Sequence, residues 1–432
     1  MSDFTERGLD KVQGVVEVED AVIEGLDISG YWSRMLEQRS IGEYPTDALD
    51  WISGLTGGES LRNCYQCAKC VPVCPVQHVG DYGPWKIFRK VQRGSTLLDD
   101  PDLWLCTTCA NCLRVCPKEV DMMQIMPAVR EQAVLEGTMP NELAEAFANL
   151  QRRGNPQGES PRKRDKWAKD ADVEVPLISD LGRPVDVLLY VSDYTSYHPR
   201  GNDAARAMAR VLSTLGVDWA ILGKEEKSDG DSARVAGERG LFEMLAEENI
   251  ATFAKYEFKQ LVVMDPHAYN AFKNHYPDLG GTYDVLHYTQ FLAPLIEKMD
   301  FKRSVDMKVT FHDPCYLGRH NGEFDAPRRL LEAIPGVELI EMPHYKKNGY
   351  CCGGGGGGMW IDSVVDQHVT ERLSERRVRE AAGTGAATLA VCCPYEPSRF
   401  EDAVKSTGNE GQLDVSDIIE LLDKAMHPAT ES

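Results

Sequence analysis

The sequence predicts an α+β chain: a mostly helical N-terminal part rich in metal-type cysteines, followed by two α/β units related by internal duplication. Three observations predict it. Eight of the thirteen cysteines fall in two short runs between residues 64 and 116. From Pro184 onward, short apolar runs alternate with amphipathic stretches, the rhythm of strands and helices around a mainly parallel sheet. Within that second part, similar strand-to-loop junctions recur at nearly constant spacing. The 432 residues suffice for two or three domains, each with a sizeable core. A formal charge of -21 excludes a general binder of nucleic acid. No uncharged apolar run reaches transmembrane length, and Met1 to Asp10 lacks the basic-then-apolar pattern of a signal peptide. A cytoplasmic location is expected, with any role at the inner face of the membrane reached through a partner subunit. In that reducing compartment, clustered cysteines point to metal rather than crosslinks.

Residues 1–58 form an acidic N-terminal extension, with a short helix expected around Gly30 to Gln38 on Tyr31, Trp32, Met35 and Leu36. Residues 59–150 carry the two runs, Cys64-x-x-Cys67-x-x-Cys70-x-x-x-Cys74-Pro75 and Cys106-x-x-Cys109-x-x-Cys112-x-x-x-Cys116-Pro117. Each is the bacterial two-cluster ferredoxin signature, in which the fourth cysteine ligates the other cluster. Two [4Fe-4S] clusters are therefore expected, one on Cys64, Cys67, Cys70 and Cys116, the other on Cys106, Cys109, Cys112 and Cys74. Zinc would sooner take two CxxC pairs set apart. A helix starting at Pro84 separates the runs, and a helix with Met122, Ile125, Met126 and Val129 as a core stripe follows them. Residues 151–184 read as a linker. Its basic residues Arg152, Arg153, Arg162, Lys163 and Arg164 suggest a solvated connection or, alternatively, docking to an acidic partner.

The first α/β unit spans residues 185–304, with strands at Val187–Val191 and Leu261–Met264 and helices at Asp203–Leu215 and Phe291–Met299. The second spans 305–432. There the run Val309 to Phe311 leads to Cys315, and Thr388 to Val391 leads to Cys392-Cys393-Pro394. Cys351-Cys352 precede six glycines, Gly353 to Gly358. No Gly-Lys-Ser/Thr follows, so a phosphate loop is disfavoured, and close backbone approach to a cluster is preferred over a flexible linker. Asp193 precedes Cys315 by 122 residues and Asp265 precedes Cys393 by 128, while Glu226 to Gly230 falls near Tyr350 to Gly353. The first half thus has non-cysteine residues where the second has candidate ligands.

These motifs, with His312-Asp313-Pro314-Cys315-Tyr316-Leu317-Gly318-Arg319 and Cys351-Cys352-Gly353, resemble the cysteine-rich (CCG) domain proteins typified by the D subunit of heterodisulfide reductase. The resemblance covers roughly residues 60 to 425. It implies a ferredoxin-type domain fused to two cysteine-rich domains, each ideally reading C…CCG…CPxC. Asp193, Ser228, Asp265 and Ala268 stand where relatives can have cysteine. In the second domain Cys315, Cys351, Cys352 and Cys393 match, and Glu396 stands in place of the last cysteine. Four thiolates imply one further [4Fe-4S] cluster there, at the catalytic position. Neighbouring strand residues face opposite ways, so Cys393 is taken as the ligand and Cys392 as core. Glu396 is left as an oxygen ligand, a proton carrier or a surface carboxylate.

The resemblance implies an oxidoreductase subunit in which electrons pass through the ferredoxin-type clusters to or from the C-terminal cluster. There the chemistry would be thiol/disulfide redox on a small molecule or a carrier protein. His312, Arg319, His320 and His344 lie near the cysteines in sequence and are candidates for proton transfer or anion binding. Redox partners are expected, such as a flavoprotein, a cytochrome or a membrane quinone-reactive subunit, because no flavin, haem or dinucleotide motif is present. The alternative is a relay subunit of a flavin-dependent dehydrogenase or an electron-transfer-flavoprotein:quinone system. A non-enzymatic docking role is a third reading.

Overall fold

The computed structural model describes residues 47–427 and the backbone of four short strands before them. Of these, β1 (Val15–Val18) pairs antiparallel with β4 (Gly30–Ser33), and β2 (Val22–Ile23) pairs with β3 (Leu26–Asp27). The helix expected around Gly30 is therefore not there. Tyr31 and Trp32 are strand-favouring residues, and a valine-rich partner strand is within reach. Met35 and Leu36 lie outside the described residues.

Helices dominate residues 47–153. Pro84–Val91 begins with its proline at the first position, where the missing N–H costs nothing. Met122–Leu135 is capped by Asp121, whose carboxylate accepts the Met123 N–H at 2.8 Å. Met122, Ile125, Met126 and Val129 are all buried, as the stripe requires.

Two four-stranded parallel sheets follow. The first has the order β6-β5-β7-β8, made of Val185–Tyr190 (β5), Trp219–Ile221 (β6), Phe258–Val263 (β7) and Val285–His287 (β8). The second repeats that order as β10-β9-β11-β12, made of Met307–Phe311 (β9), Val337–Leu339 (β10), Thr388–Val391 (β11) and Asp414–Asp417 (β12). Register carries the duplication to single residues. Leu189 pairs with Val262 in one sheet and Phe311 with Ala390 in the other, which preserves the two sequence offsets. The helix expected at Phe291–Met299 divides into Tyr288–Leu292 and a 3₁₀ turn, Ala293–Lys298. Pro294 lacks the N–H that would continue the α ladder.

In the basic stretch before the first sheet Arg152, Arg153, Arg162 and Lys163 are exposed, as a solvated connection requires, but Arg164 is not. Asn155, Arg164 and Trp167 are buried, and the Arg164 guanidinium meets Asp193 Oδ1 at 2.8 Å and Glu226 Oε1 at 2.7 Å. Its partners come 29 and 62 residues later. Local composition carries no sign of them. Among the described residues no helix is long and apolar enough to cross a membrane.

Candidate functional site

Both ferredoxin-type runs fold into the same loop. The second and fourth residues after the leading cysteine are left-handed in each, Gln66 and Ala68 in one (φ 63° and 61°), Thr108 and Ala110 in the other (φ 49° and 63°). Left-handed backbone is uncommon outside glycine. Its repetition at matching non-glycine positions marks a loop shaped to turn three cysteines toward one centre. Cys64, Cys67, Cys70 and Cys116 line one cavity with Trp85, Phe88 and Cys112 of the second run. The Cys74 thiol is pushed up to about 12, chiefly by burial and also by charge on neighbouring Cys106. Burial likewise raises Cys112, which Cys106 and Cys74 flank. Cys70 lies near Cys112 as well, so the two runs approach each other closely. Buried neutral thiols lose their protons when a cation binds, so the donor set suits a metal cluster. The Val120 N–H donates to Cys116 Sγ at 3.3 Å, and Gln66 Nε2 to Cys64 Sγ at 3.7 Å. Such donors stabilise reduced clusters.

The second site lies where parallel-sheet topology leads one to look. In each sheet the chain moves first to one side of its opening strand and then to the other, and ligands settle outside the carboxyl ends at that reversal. Cys315 follows β9 at the head of the helix Cys315–Gly318, and Cys393 follows β11. These two thiols, Cys352 and Glu396 line one cavity with Gly354 to Gly357, closed on the far side by Pro266 and His267 of the first half. Cys351 lies to one side. The neighbouring thiols of Cys109, Cys315 and Cys352 hold it well below the usual thiol range. The Gly353 N–H also donates to it at 3.3 Å. Cys392, just past the end of β11, is fully buried in the core and off the cavity.

Glu396 is no surface residue. It is 1% exposed, Oε1 lies 3.2 Å from His312 Nε2, and Oε2 has no partner among the described residues. Arg377 Nε donates to His312 Nδ1 at 3.0 Å, which leaves the imidazole proton on Nε2 facing Glu396. Burial, with Arg377 alongside, pushes the His312 imidazole well down. Ligand atoms of His312, Cys352 and Glu396 all lie within 4.8 Å of one another. Three cavity thiols, an orphaned carboxylate oxygen and a side-chain-free glycine wall fit an inorganic cluster.

The other residues singled out in the sequence separate into two kinds. Arg319 Nε donates to the Cys109 carbonyl (2.6 Å) and Nη1 to the Gly349 carbonyl (2.8 Å), so it ties the ferredoxin loop to the segment that leads to Cys351. His320 donates to the Thr108 carbonyl at 2.9 Å, and burial takes its pKa down to about 4. His344 pairs with Glu380 at 2.7 Å at the surface, away from the cavity wall. Sequence reading missed Arg130. This fully buried side chain bridges the Cys106 carbonyl (2.8 Å) and the Gly356 carbonyl (2.9 Å). The glycine run lies directly on that loop. A methyl group at Gly355 would overlap the Thr107 carbonyl oxygen, and one at Gly356 that of Cys106.

In the first half the corresponding junctions carry Asp193 after β5, Ser228-Asp229-Gly230, and Asp265 after β7. Gly230 and Gly353, 123 residues apart, share the left-handed backbone (φ 80° and 87°). Asp193, Asp229 and Asp265 are all buried. The first half thus repeats the strand order and junctions of the second without its cysteines.

A cysteine-rich domain family matches residues 194–273 and 309–395, and a 4Fe-4S dicluster domain family matches residues 63–120. The probable iron-sulfur-binding oxidoreductase FadF of Bacillus subtilis is 37% identical over 333 residues, 76% of this chain and 47% of its own length. The EtfAB:quinone oxidoreductase of Syntrophomonas wolfei is 36% identical over 332 residues, 75% of this chain and 46% of its own. The chain thus spans about half the length of these two relatives. The D subunit of the dihydromethanophenazine:CoB–CoM heterodisulfide reductase of Methanosarcina mazei is 30% identical over 399 residues, 85% of this chain and 94% of its own. With both domain types matched and that relative covered nearly end to end, the chain belongs to the iron–sulfur protein family of the heterodisulfide reductase D subunit.

Proposed function

We propose that this chain is the electron-transfer subunit of a heterodisulfide reductase-like oxidoreductase complex. Two ferredoxin-type [4Fe-4S] clusters would stand in series with a third, held by Cys315, Cys351, Cys352 and Cys393 with the Glu396 carboxylate beside them. One observation carries the reading: the loop of the second cysteine run lies against the glycine wall of the C-terminal cavity, with Arg130 bound to both. Electrons arriving at Cys106–Cys112 would have a short path to the cavity. Thiolate-bound clusters exchange single electrons at potentials that nearby N–H donors tune. At the cavity the substrate would be a thiol/disulfide, on a small molecule or on a carrier protein's cysteines. Partners would be redox subunits: a flavoprotein, a cytochrome or a membrane quinone-reactive protein.

A second reading, a relay subunit between a flavoprotein and quinone, is favoured by the identity to the relative named EtfAB:quinone oxidoreductase. Anaerobic purification and electron paramagnetic resonance separate the two. Three loaded sites give about twelve irons per chain. About eight would show that the C-terminal cavity holds no cluster. Disulfide chemistry requires that an added substrate thiol shift the signal of the third cluster. Reduction by a flavoprotein partner with no response to thiols would establish the relay instead.

A further inference from the structure

Scission of a disulfide into two thiols consumes two electrons and two protons. The proposed function supplies a route for the electrons, and the protons need a donor on the cavity wall. His312 is a poor source, since it is fully buried, its Nδ1 accepts from Arg377 and its Nε2 faces Glu396. His320 holds a backbone carbonyl, and His344 lies away from the cavity. The first half supplies a better placed group.

His267 begins the helix Pro266–Asn274, which packs on the helix Cys315–Gly318 and presents the imidazole to the cavity lined by Cys315, Cys352 and Cys393. Its ring stacks on Tyr316 at 3.8 Å between centroids, and the Tyr316 hydroxyl is held by Thr108 Oγ1 at 2.8 Å. The orientation is set from behind. His267 Nδ1 lies 2.7 Å from Asp231 Oδ2, and Arg234 donates to the other oxygen at 2.7 and 3.0 Å. Asp231 is 1% exposed, whereas the His267 side chain is 19% exposed. Nε2 has no hydrogen-bond partner among the described residues. Burial opposes charge on the ring, but Asp231, with Asp265 and Asp229 farther off, outweighs it and raises the His267 pKa. Arg234, Tyr316, His320 and Tyr395 also surround it, and the titratable Cys315, Cys352, Cys393 and Glu396 share its cavity. A buried carboxylate behind a partly open imidazole is the arrangement of an oriented general acid.

We infer that His267, held by Asp231, is the proton donor to the sulfur released in the C-terminal cavity, so that the half without cluster thiols completes the site of the other. This rests on the thiol/disulfide reading above. The disulfide R–S–S–R′ takes two electrons, delivered singly from an external low-potential donor, and two protons, and gives RSH and R′SH. Nε2 supplies one of those protons to the departing sulfur and regains it from water through the cavity mouth.

The test uses the cluster-loaded full chain with reduced methyl viologen as donor and bis(2-hydroxyethyl) disulfide as acceptor. His267→Ala is expected to keep its iron and its resonance spectrum while turnover falls about 100-fold or more. Added imidazole should restore much of that rate and leave the wild type unaffected. His267→Gln, whose amide can still reach Asp231, is expected to lose the rate as the alanine variant does. Wild-type turnover in either iron-replete variant, or a loss that imidazole does not mend, overturns the assignment. If the wild type itself reduces no disulfide, the thiol/disulfide reading fails first and takes this inference with it.

Discussion

Arg130 occupies the helix Met122–Leu135 beside the methionine stripe, and all five of its N–H groups donate to main-chain carbonyls. Those carbonyls belong to Leu103, Cys106, Val235 and Gly356, so one side chain joins the ferredoxin loop, the first α/β unit and the glycine wall. Loss of the guanidinium leaves several buried acceptors without partners, at about 1–3 kcal/mol each. Arg130→Met should therefore destabilise the cluster-loaded chain by at least about 3 kcal/mol. Chemical denaturation measures this, and a midpoint within error of wild type would refute the bridging role. Nothing in the sequence marks Arg130, because its acceptors are backbone atoms up to 226 residues away. His267 is illegible for a related reason. Nearness to a cysteine in sequence does not single it out, because it reaches the cavity from the other half of the repeat. Cys393 and Cys392, by contrast, are legible, since neighbours at the end of an extended run turn opposite ways and only Cys393 reaches the cavity.

Among the elements, the two cysteine runs are the most legible because their loop is local: the same pair of left-handed residues recurs in each whatever the rest of the chain does. The short N-terminal strand Gly30–Ser33 is the least, since its pairing partner β1 decides the outcome. The glycine run is half legible. Close backbone approach is the expectation, but toward a cluster. The nearest atoms that forbid a side chain are instead the carbonyls of Cys106 and Thr107. That yields a test at the scale of the element. Gly356 has φ 63° and Gly385 has φ 72°, so alanine bears a similar backbone cost at either. At Gly385 nothing lies within 4 Å, whereas at Gly356 the new methyl meets a carbonyl oxygen. Gly356→Ala should thus cost about 1–3 kcal/mol more than Gly385→Ala. If a cluster occupies the C-terminal cavity as proposed, the variant should also slow its reduction by pushing the ferredoxin loop off the cavity. Equal stability and equal reduction kinetics in the two variants would mean that the contact is incidental.

At the scale of the molecule, one fold built twice has had its two sites diverge. The duplication is legible because strand-to-loop junctions keep their spacing. What fills the emptied half is not, because the filler, Arg164, enters from outside the repeat. Its guanidinium binds Asp193, at the position matching Cys315, and Glu226, whose carboxylate also accepts the Val191 and Ser192 N–H groups at 3.0 and 2.9 Å. One cation thus stands near two carboxylates at the junction that corresponds to the cysteine-bearing one of the second half. Removing one partner from a buried ionic group typically costs about 3–5 kcal/mol, because the remaining charge is stranded. Arg164→Leu strands two. Burial already raises the pKa of both Asp193 and Glu226, and losing the cation raises them further. From the ordinary carboxylate range upward, the folded variant then holds protons that the unfolded chain has released, so its stability falls as pH rises. The variant should melt well below wild type at about pH 8, with the deficit narrowing at about pH 5 as the two carboxyls are protonated. Thermal denaturation at both values decides it. A deficit that does not depend on pH would mean that Arg164 acts through packing alone, and no deficit would mean that the emptied site stands without it.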